Sequence, residues 1–346
     1  MSEHTEIGSL GEFGFIRRLT QPFILKNSST IKGVGDDAAV IDNGNKQTLV
    51  TTDLLLEGIH FDLIYTPLKH LGYKAAVVNF SDIYAMNGYP KQLTISLGIS
   101  KRFSVEDMEA LYEGIQLACD KYGVDLAGGD TSASVTGLML SLTCIGEADK
   151  DTIVYRNTAK ENDLICVTGD LGAAYMGLQL LEREKAVFAG NSDVQPDFSG
   201  KDYLLERQLK PEARKDIIEL LRDKNIVPTS MIDISDGLSS ELLHLCTQSH
   251  TGCRVYEDRI PIDYQTAVMA EEFSMNLVTA AMNGGEDYEL LFTVPTSLHD
   301  EITNIEGITL IGYMTSDNLG CRLVTRDEQE FDIKAQGWSI EQAMNE

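Results

Sequence analysis

The sequence is short of positive charge: 28 Lys and Arg stand against 54 Asp and Glu, a formal net charge of −26 over 346 residues. Nucleic-acid binding needs a basic footprint to meet the phosphate backbone, so that class of partner is set aside first. A phosphorylated small molecule remains open, provided cations stand between it and the protein. No uninterrupted apolar stretch reaches the length of a membrane span, and the start, Met1-Ser2-Glu3-His4-Thr5-Glu6, lacks the basic opening and apolar run of a secretory leader. The six cysteines (Cys119, Cys144, Cys166, Cys246, Cys253, Cys321) form no C-x-x-C pair and show no zinc-type Cys/His spacing. They sit mostly within apolar runs, which predicts buried free thiols in a cytoplasmic protein. Also missing are a G-x-x-x-x-G-K-[ST] phosphate loop, the H-R-D and D-F-G protein-kinase signatures and a G-x-S-x-G nucleophile elbow.

What remains is a soluble globular composition, 43% hydrophobic and 24% charged. The length exceeds one ordinary core and predicts two domains, with the polar stretch Glu147–Asp163 as the connection. Alternation predicts a strand over Gln47–Asp53, with Leu49, Thr51 and Asp53 on one face and Val50 and Thr52 on the other. Leu93–Ile99 and Leu138–Ile145 have the same β-rich character. A helix is predicted from a Ser104 cap to Gly123, with Val105, Met108, Leu111, Ile115 and Cys119 at helical spacing, and another from about Leu68 to Met86. In the second half Leu164–Thr168, Met231–Ile234 and Glu289–Val294 read as strands. Helices follow Gly169-Asp170-Leu171-Gly172, through Leu181, and Gly237, over Leu238–Cys246, while Glu182–Gly200 reads as a mobile excursion. Strands alternating with long helices, and few hairpin signals, indicate an α/β chain with α+β layering.

Short acidic motifs run through both halves: Gly35-Asp36-Asp37-Ala38-Ala39, Thr51-Thr52-Asp53, Ser81-Asp82, Gly128-Gly129-Asp130-Thr131, Asp233-Ile234-Ser235-Asp236-Gly237 and Gly284-Gly285-Glu286-Asp287-Tyr288. Carboxylates beside glycine and small hydroxyls suit magnesium shared with phosphate oxygens. Gly33-Val34-Gly35-Asp36-Asp37-Ala38 fits the spacing of a dinucleotide fingerprint, but two adjacent carboxylates would repel a pyrophosphate unless a metal reversed the sign. Asp82 lies on a stretch apolar nearly all round, which predicts a buried helix whose carboxylate needs a cation or donors. Gly128-Gly129-Asp130-Thr131 reads as a turn that lets a ligand approach closely. The Asp233–Gly237 turn opens a helix whose free amides suit phosphate. Each motif alone is a common acidic turn or cap; their number suggests one site assembled from both halves.

Taken in order, Gly35-Asp36-Asp37-Ala38-Ala39, Thr51-Thr52-Asp53, Glu57-Gly58-Ile59-His60-Phe61, Asn79-Phe80-Ser81-Asp82, Gly129-Asp130-Thr131, Asp233-Ile234-Ser235-Asp236-Gly237-Leu238 and Gly284-Gly285-Glu286-Asp287-Tyr288-Glu289-Leu290 resemble the thiamine-monophosphate kinases, within the aminoimidazole-ribonucleotide-synthetase-like ATP-binding superfamily. The resemblance implies an ATP-binding domain over 1–148 whose sheet forms a homodimer and an α/β domain over 149–346 that completes the site. It implies ATP as co-substrate, several Mg²⁺ ions and direct phosphoryl transfer to thiamine monophosphate. Asp36, Thr51, Thr52, Asp53, Asp82, Asp130, Asp233 and Asp236 match its magnesium positions, with Asp82, Asp130 and Asp236 nearest the chemistry. Tyr112, Gly129, Asp130, Arg156 and Ser235 match nucleotide contacts, and His60, Glu286 and Trp338 match substrate contacts. The family's C-terminal aromatic is followed by a His-Phe pair, whereas Trp338 here is followed by Ser339-Ile340-Glu341. Within the superfamily, the reactive Cys or selenocysteine of a selenophosphate synthetase and the cysteine-bearing tail of a hydrogenase-maturation protein are not in this sequence. A nucleotide or metal sensor without turnover would not need the Gly-Gly-Glu-Asp and His60 segments, which serve the acceptor side.

Overall fold

The computed structural model describes residues 30–32, 35–190 and 197–335. Two sheets organise it. The first contains β1 (Thr30–Lys32), β2 (Ala39–Asp42), β3 (Lys46–Leu56), β4 (Tyr89–Ile99), β5 (Asp125–Ala133) and β6 (Leu138–Asp149), in spatial order β1-β2-β3-β6-β4-β5. All neighbours are antiparallel except β4 and β5. On β3 the predicted alternation holds, with Leu49 and Thr51 buried and Thr52 exposed, and the strand continues through Leu54-Leu55-Leu56.

Two long helices, α1 (Leu68–Ala85) and α2 (Val105–Tyr122), accompany this sheet. Helix α2 opens with a reciprocal Ser104–Asp107 capping box and ends at Gly123, whose φ of 75° gives the left-handed cap expected of it. Helix α1 is buried nearly all round, between the sheet and α2. The two helices approach closely at glycines: a Cβ on Gly72 would lie 2.0 Å from the Leu111 carbonyl oxygen, and one on Gly114 1.8 Å from that of Lys69. A side chain at either position would push the helices apart.

The second sheet contains β7 (Leu164–Thr168), β8 (Ser230–Asp233), β9 (Thr251–Tyr256), β10 (Leu290–Val294), β11 (Ile308–Ser316), β12 (Cys321–Val324) and β13 (Glu330–Asp332). Its order is β13-β12-β9-β11-β7-β10-β8, antiparallel except where β12 meets β9. Strands β7, β8 and β10 are buried along their whole length, which is why they read as unbroken apolar runs rather than alternating ones. The helices of this half are α3 (Ala173–Gly190), α4 (Asp202–Leu209), α5 (Lys215–Asp223), α6 (Leu238–Ser249), α7 (Tyr264–Glu272), α8 (Leu277–Asn283) and α9 (His299–Thr303). The largest apolar core draws on both sheets, joining Leu49, Phe80 and Leu142 to Ile218, Met231 and Phe292.

Three expectations change. Residues 182–190 complete α3 rather than forming an excursion, because Glu184 on that face is buried and its carboxylate accepts from the Asp197 amide at 3.2 Å. Strand β6 runs to Asp149, held there by its pairing with Lys46, so the connection begins later than Glu147. Gly128-Gly129-Asp130-Thr131 is not a turn: it lies inside β5, paired in parallel with Thr94 to Leu97 of β4.

Candidate active site

The carboxylates converge where the first sheet, α1 and the end of β8 meet. Asp37 follows β1, Asp53 comes from β3, Asp82 from α1 and Asp233 from the last position of β8. One carboxylate oxygen from each of Asp37, Asp82 and Asp233 lies within 4.8 Å of the others. Like charges at that distance repel by roughly 3.5 kcal/mol per pair at an effective dielectric of about 20. The groups respond accordingly. Burial first, then the charges of Asp53, Asp233 and Asp37, hold the Asp82 carboxyl well above its ordinary range. Burial, with Asp233, pushes Asp53 up to about 7, and burial pushes Asp37 up to about 8 against the pull of Arg156. Asp233 is raised as well, by burial.

Protein donors answer only part of this charge. Ser81 donates to Asp233 at 2.6 Å, and Thr51 donates to Asp82. Arg156 pairs with Asp37 through its Nη2, and its Nε lies 3.4 Å from Asp36. Asp53 Oδ2 is buried and has no hydrogen-bond partner among the described residues. A buried oxygen left open beside clustered carboxylates fits a hard divalent cation.

The loop after β8 is locked rather than open. The Glu241 carboxylate of α6 accepts from the amides of Ser235 at 3.0 Å and Asp236 at 2.8 Å. A buried glutamate thus takes two loop amides that precede the helix start. Gly237 enters the helix at φ 106°, a conformation glycine adopts readily. The Gly284–Tyr288 segment folds onto the same loop, with the Glu286 amide donating to the Ser235 carbonyl at 2.7 Å and the Tyr288 amide to that of Ile234 at 2.9 Å. Glu286 and Tyr288 both take left-handed backbone, φ 59° and 51°, strain of the kind that collects at functional sites.

Glu286 carries the second feature. Lys74 of α1 sits 2.9 Å from its carboxylate and Gln208 donates to it at 2.8 Å. Lys74 also donates to the Gln208 carbonyl at 3.0 Å. His60 lies close enough to feel Glu286, although burial outweighs that pull and keeps its pKa low. His60 and Glu286 thus face a common region, and Lys74, outside the acidic motifs, brings a cation to Glu286.

The remaining expected residues are placed as follows. The Thr52 hydroxyl points to the opposite face of the sheet, donating to the Leu142 carbonyl at 2.8 Å. Gly129 and Asp130 are exposed on edge strand β5, outside the three-carboxylate cluster. Tyr112 packs against the large core from α2. Asp236 is raised by burial and by Glu286. Trp338 lies outside the described residues. Asp37, Lys74, Ser81 and Glu241 were missing from the expected site. Asp37 and Ser81 each adjoin an expected ligand, and Lys74 is the buried one of two lysines in a long helix, Lys69 being exposed. Glu241 gave no signal in the sequence.

The family described as AIR synthase related protein, N-terminal domain, matches residues 35–148, from the first acidic motif to the end of the first sheet. The thiamine-monophosphate kinase of Bacillus subtilis is 32% identical over 95% of this chain and 99% of its own. That of Aquifex aeolicus is 34% identical over 83% and 86%. Among solved structures, one described as AaThiL complexed with AMPPCP and TMP superposes with a TM-score of 0.84 at 30% identity, covering 98% of this chain and all of that one. Identity of this level over whole chains, together with the clustered acidic motifs, places the chain in the thiamine-monophosphate kinase family.

Proposed function

We propose that the chain transfers the γ-phosphoryl group of ATP to thiamine monophosphate, giving thiamine diphosphate. The observation that carries this reading is the convergence of Asp37, Asp82 and Asp233 from both halves of a chain similar throughout to thiamine-monophosphate kinases. Two dianionic phosphates brought to 4 Å repel by roughly 16 kcal/mol at an effective dielectric of about 20. Arg156 and Lys74 alone do not offset that, and both already serve carboxylates. Magnesium ions, when bound, supply the missing positive charge. Asp36, Asp37, Asp53, Asp82, Asp233 and Asp236 would hold them, with Asp130 joining from β5 and Thr51 steadying Asp82; Thr52 would contribute only through its main chain.

In this reading residues 1–148 bind ATP and pair two copies of the chain, and residues 149–346 complete the site. Tyr112, Gly129, Arg156 and Ser235 serve the nucleotide; His60, Glu286 and Trp338 serve the acceptor. No residue is needed as general base, because the acceptor phosphate is already ionised. Catalysis rests on in-line positioning and charge stabilisation, without a covalent enzyme intermediate. No helix among the described residues is long and apolar enough to cross a membrane, in keeping with a cytoplasmic setting. The test is ATP consumption by the purified chain with Mg²⁺. Formation of ADP and thiamine diphosphate in equal amounts, only when thiamine monophosphate is present, is expected; ATP turnover indifferent to it overturns the reading.

A further inference from the structure

Three cysteines with no metal-binding spacing in the sequence meet at one point of the second sheet. Cys246 lies in the last turn of α6, Cys253 in β9, and Cys321 opens β12. Strands β9 and β12 run parallel with Cys253 directly beside Cys321, a register fixed by the Cys253 amide donating to the Gly320 carbonyl at 3.1 Å. The three Sγ atoms lie within 4.8 Å of one another. Cys246 and Cys253 are buried, whereas Cys321 is partly exposed, so the sulfurs form a closed floor with one side open to solvent.

Thiols often fill a core as small apolar groups, and these three do border the core built by Ile232, Leu242, Val255 and Met314. Their mutual arrangement goes further. Zinc–sulfur bonds are about 2.3 Å, so three thiolates around a tetrahedral ion stand about 3.8 Å apart, inside the span the cluster allows. An all-sulfur set selects soft cations and rejects magnesium, which demands oxygen. Cys246 stands eight positions beyond Leu238, the first residue of α6, about 12 Å along the helix, which separates this cluster from the acidic turn at the helix start.

We propose that Cys246, Cys253 and Cys321 bind one soft d¹⁰ cation, Zn²⁺ or Cu⁺, through three thiolates, with a further position open on the Cys321 side. Each thiol that ligates releases its proton to solvent, so uptake strengthens as pH rises. The bound ion would staple the end of α6 to β9 and β12.

The full chain, reduced and stripped with a chelator, would be titrated with Cd²⁺ in excess Mg²⁺ while thiolate-to-metal charge-transfer absorption is followed. One equivalent is expected to saturate the band. Displacement by Zn²⁺ identifies the zinc form of the site, and displacement by Cu⁺ alone the copper form. Cys321→Ser is expected to weaken binding more than about tenfold, some 1.4 kcal/mol, and to leave kinase turnover at saturating Mg²⁺ unchanged. In the unmodified chain, bound Zn²⁺ or Cu⁺ is expected to slow alkylation of Cys321, a readout that needs no variant to fold. No charge-transfer band, or a band unchanged in Cys321→Ser, would overturn the proposal.

Discussion

Ser81 on α1 donates a 2.6 Å hydrogen bond to Asp233 at the end of β8, so one hydroxyl ties the helix of the first half to the acidic strand end of the second. Both groups are buried, and hydrogen bonds to charged groups contribute about 1.5–3 kcal/mol. Ser81→Ala is expected to lower the unfolding free energy by that amount in Mg²⁺-containing buffer, where Asp233 is ionised. Urea denaturation measures it. A midpoint equal to that of the unmodified chain would show that the two halves do not depend on this contact.

Asp82 sits among Asp53, Asp233 and Asp37, each of which raises its pKa. Asp82→Asn replaces a carboxylate oxygen, a proposed metal ligand, by an amide nitrogen and removes one source of repulsion. Phosphoryl transfer is expected to fall at least about 10²-fold, by analogy with the loss of one preorganised electrostatic group, while the metal-free protein is no less stable than before. Near-normal kcat at saturating Mg²⁺ would make Asp82 a structural residue.

The same repulsion predicts how stability depends on pH. Asp37 and Asp53 are raised to about 8 and about 7 in the folded chain, above the ordinary carboxylate value of about 3.9. Between these limits the folded state binds more protons than the unfolded one, so stability of the metal-free protein falls as pH rises. Magnesium bound to these carboxylates, as proposed, would compete with those protons. Thermal unfolding in chelator is expected to give a lower Tm at about pH 8 than at about pH 6, and the gain in Tm on adding Mg²⁺ is expected to be larger at the higher pH. A magnesium effect equal at both values would mean that these carboxylates do not bind it.

Local signals were legible where chemistry is local. The Ser104 cap and Gly123 stop bound α2, Leu164–Thr168 is a strand with the predicted limits, and the apolar run around Asp82 is a buried helix. Contacts made by tertiary placement were not. Gly128-Gly129 looks like a turn by composition, yet pairing with β4 draws it into a strand. Glu241 lies on a helix turn like any other, and only the fold aims it at the Ser235 and Asp236 amides. Lys74 meets Glu286 across more than 200 residues of sequence because α1 and the Gly-Gly-Glu-Asp segment face each other. The cysteines show the same limit: spacing in the chain excluded a motif, while strand register brought Cys253 and Cys321 side by side.

The outer surface of the first sheet predicts the state of assembly. Leu54 on β3 and Met139 on β6 are exposed, 49% and 40%, although each alternates with buried neighbours, Leu55 and Leu140. Next to them, among the described residues, β5 is exposed along its full length and forms a sheet edge. An apolar sheet face beside an exposed edge invites pairing, and a twofold partner presenting the same surface would cover both. Sedimentation at micromolar concentration is expected to give a mass near twice the 38.2 kDa of one chain. Leu54→Glu would place a charge on this surface and its symmetry copy, shifting the population toward single chains without unfolding them, because the position is exposed within each. A single-chain mass for the unmodified protein would overturn the dimer, and a dimer untouched by Leu54→Glu would move the interface away from this sheet.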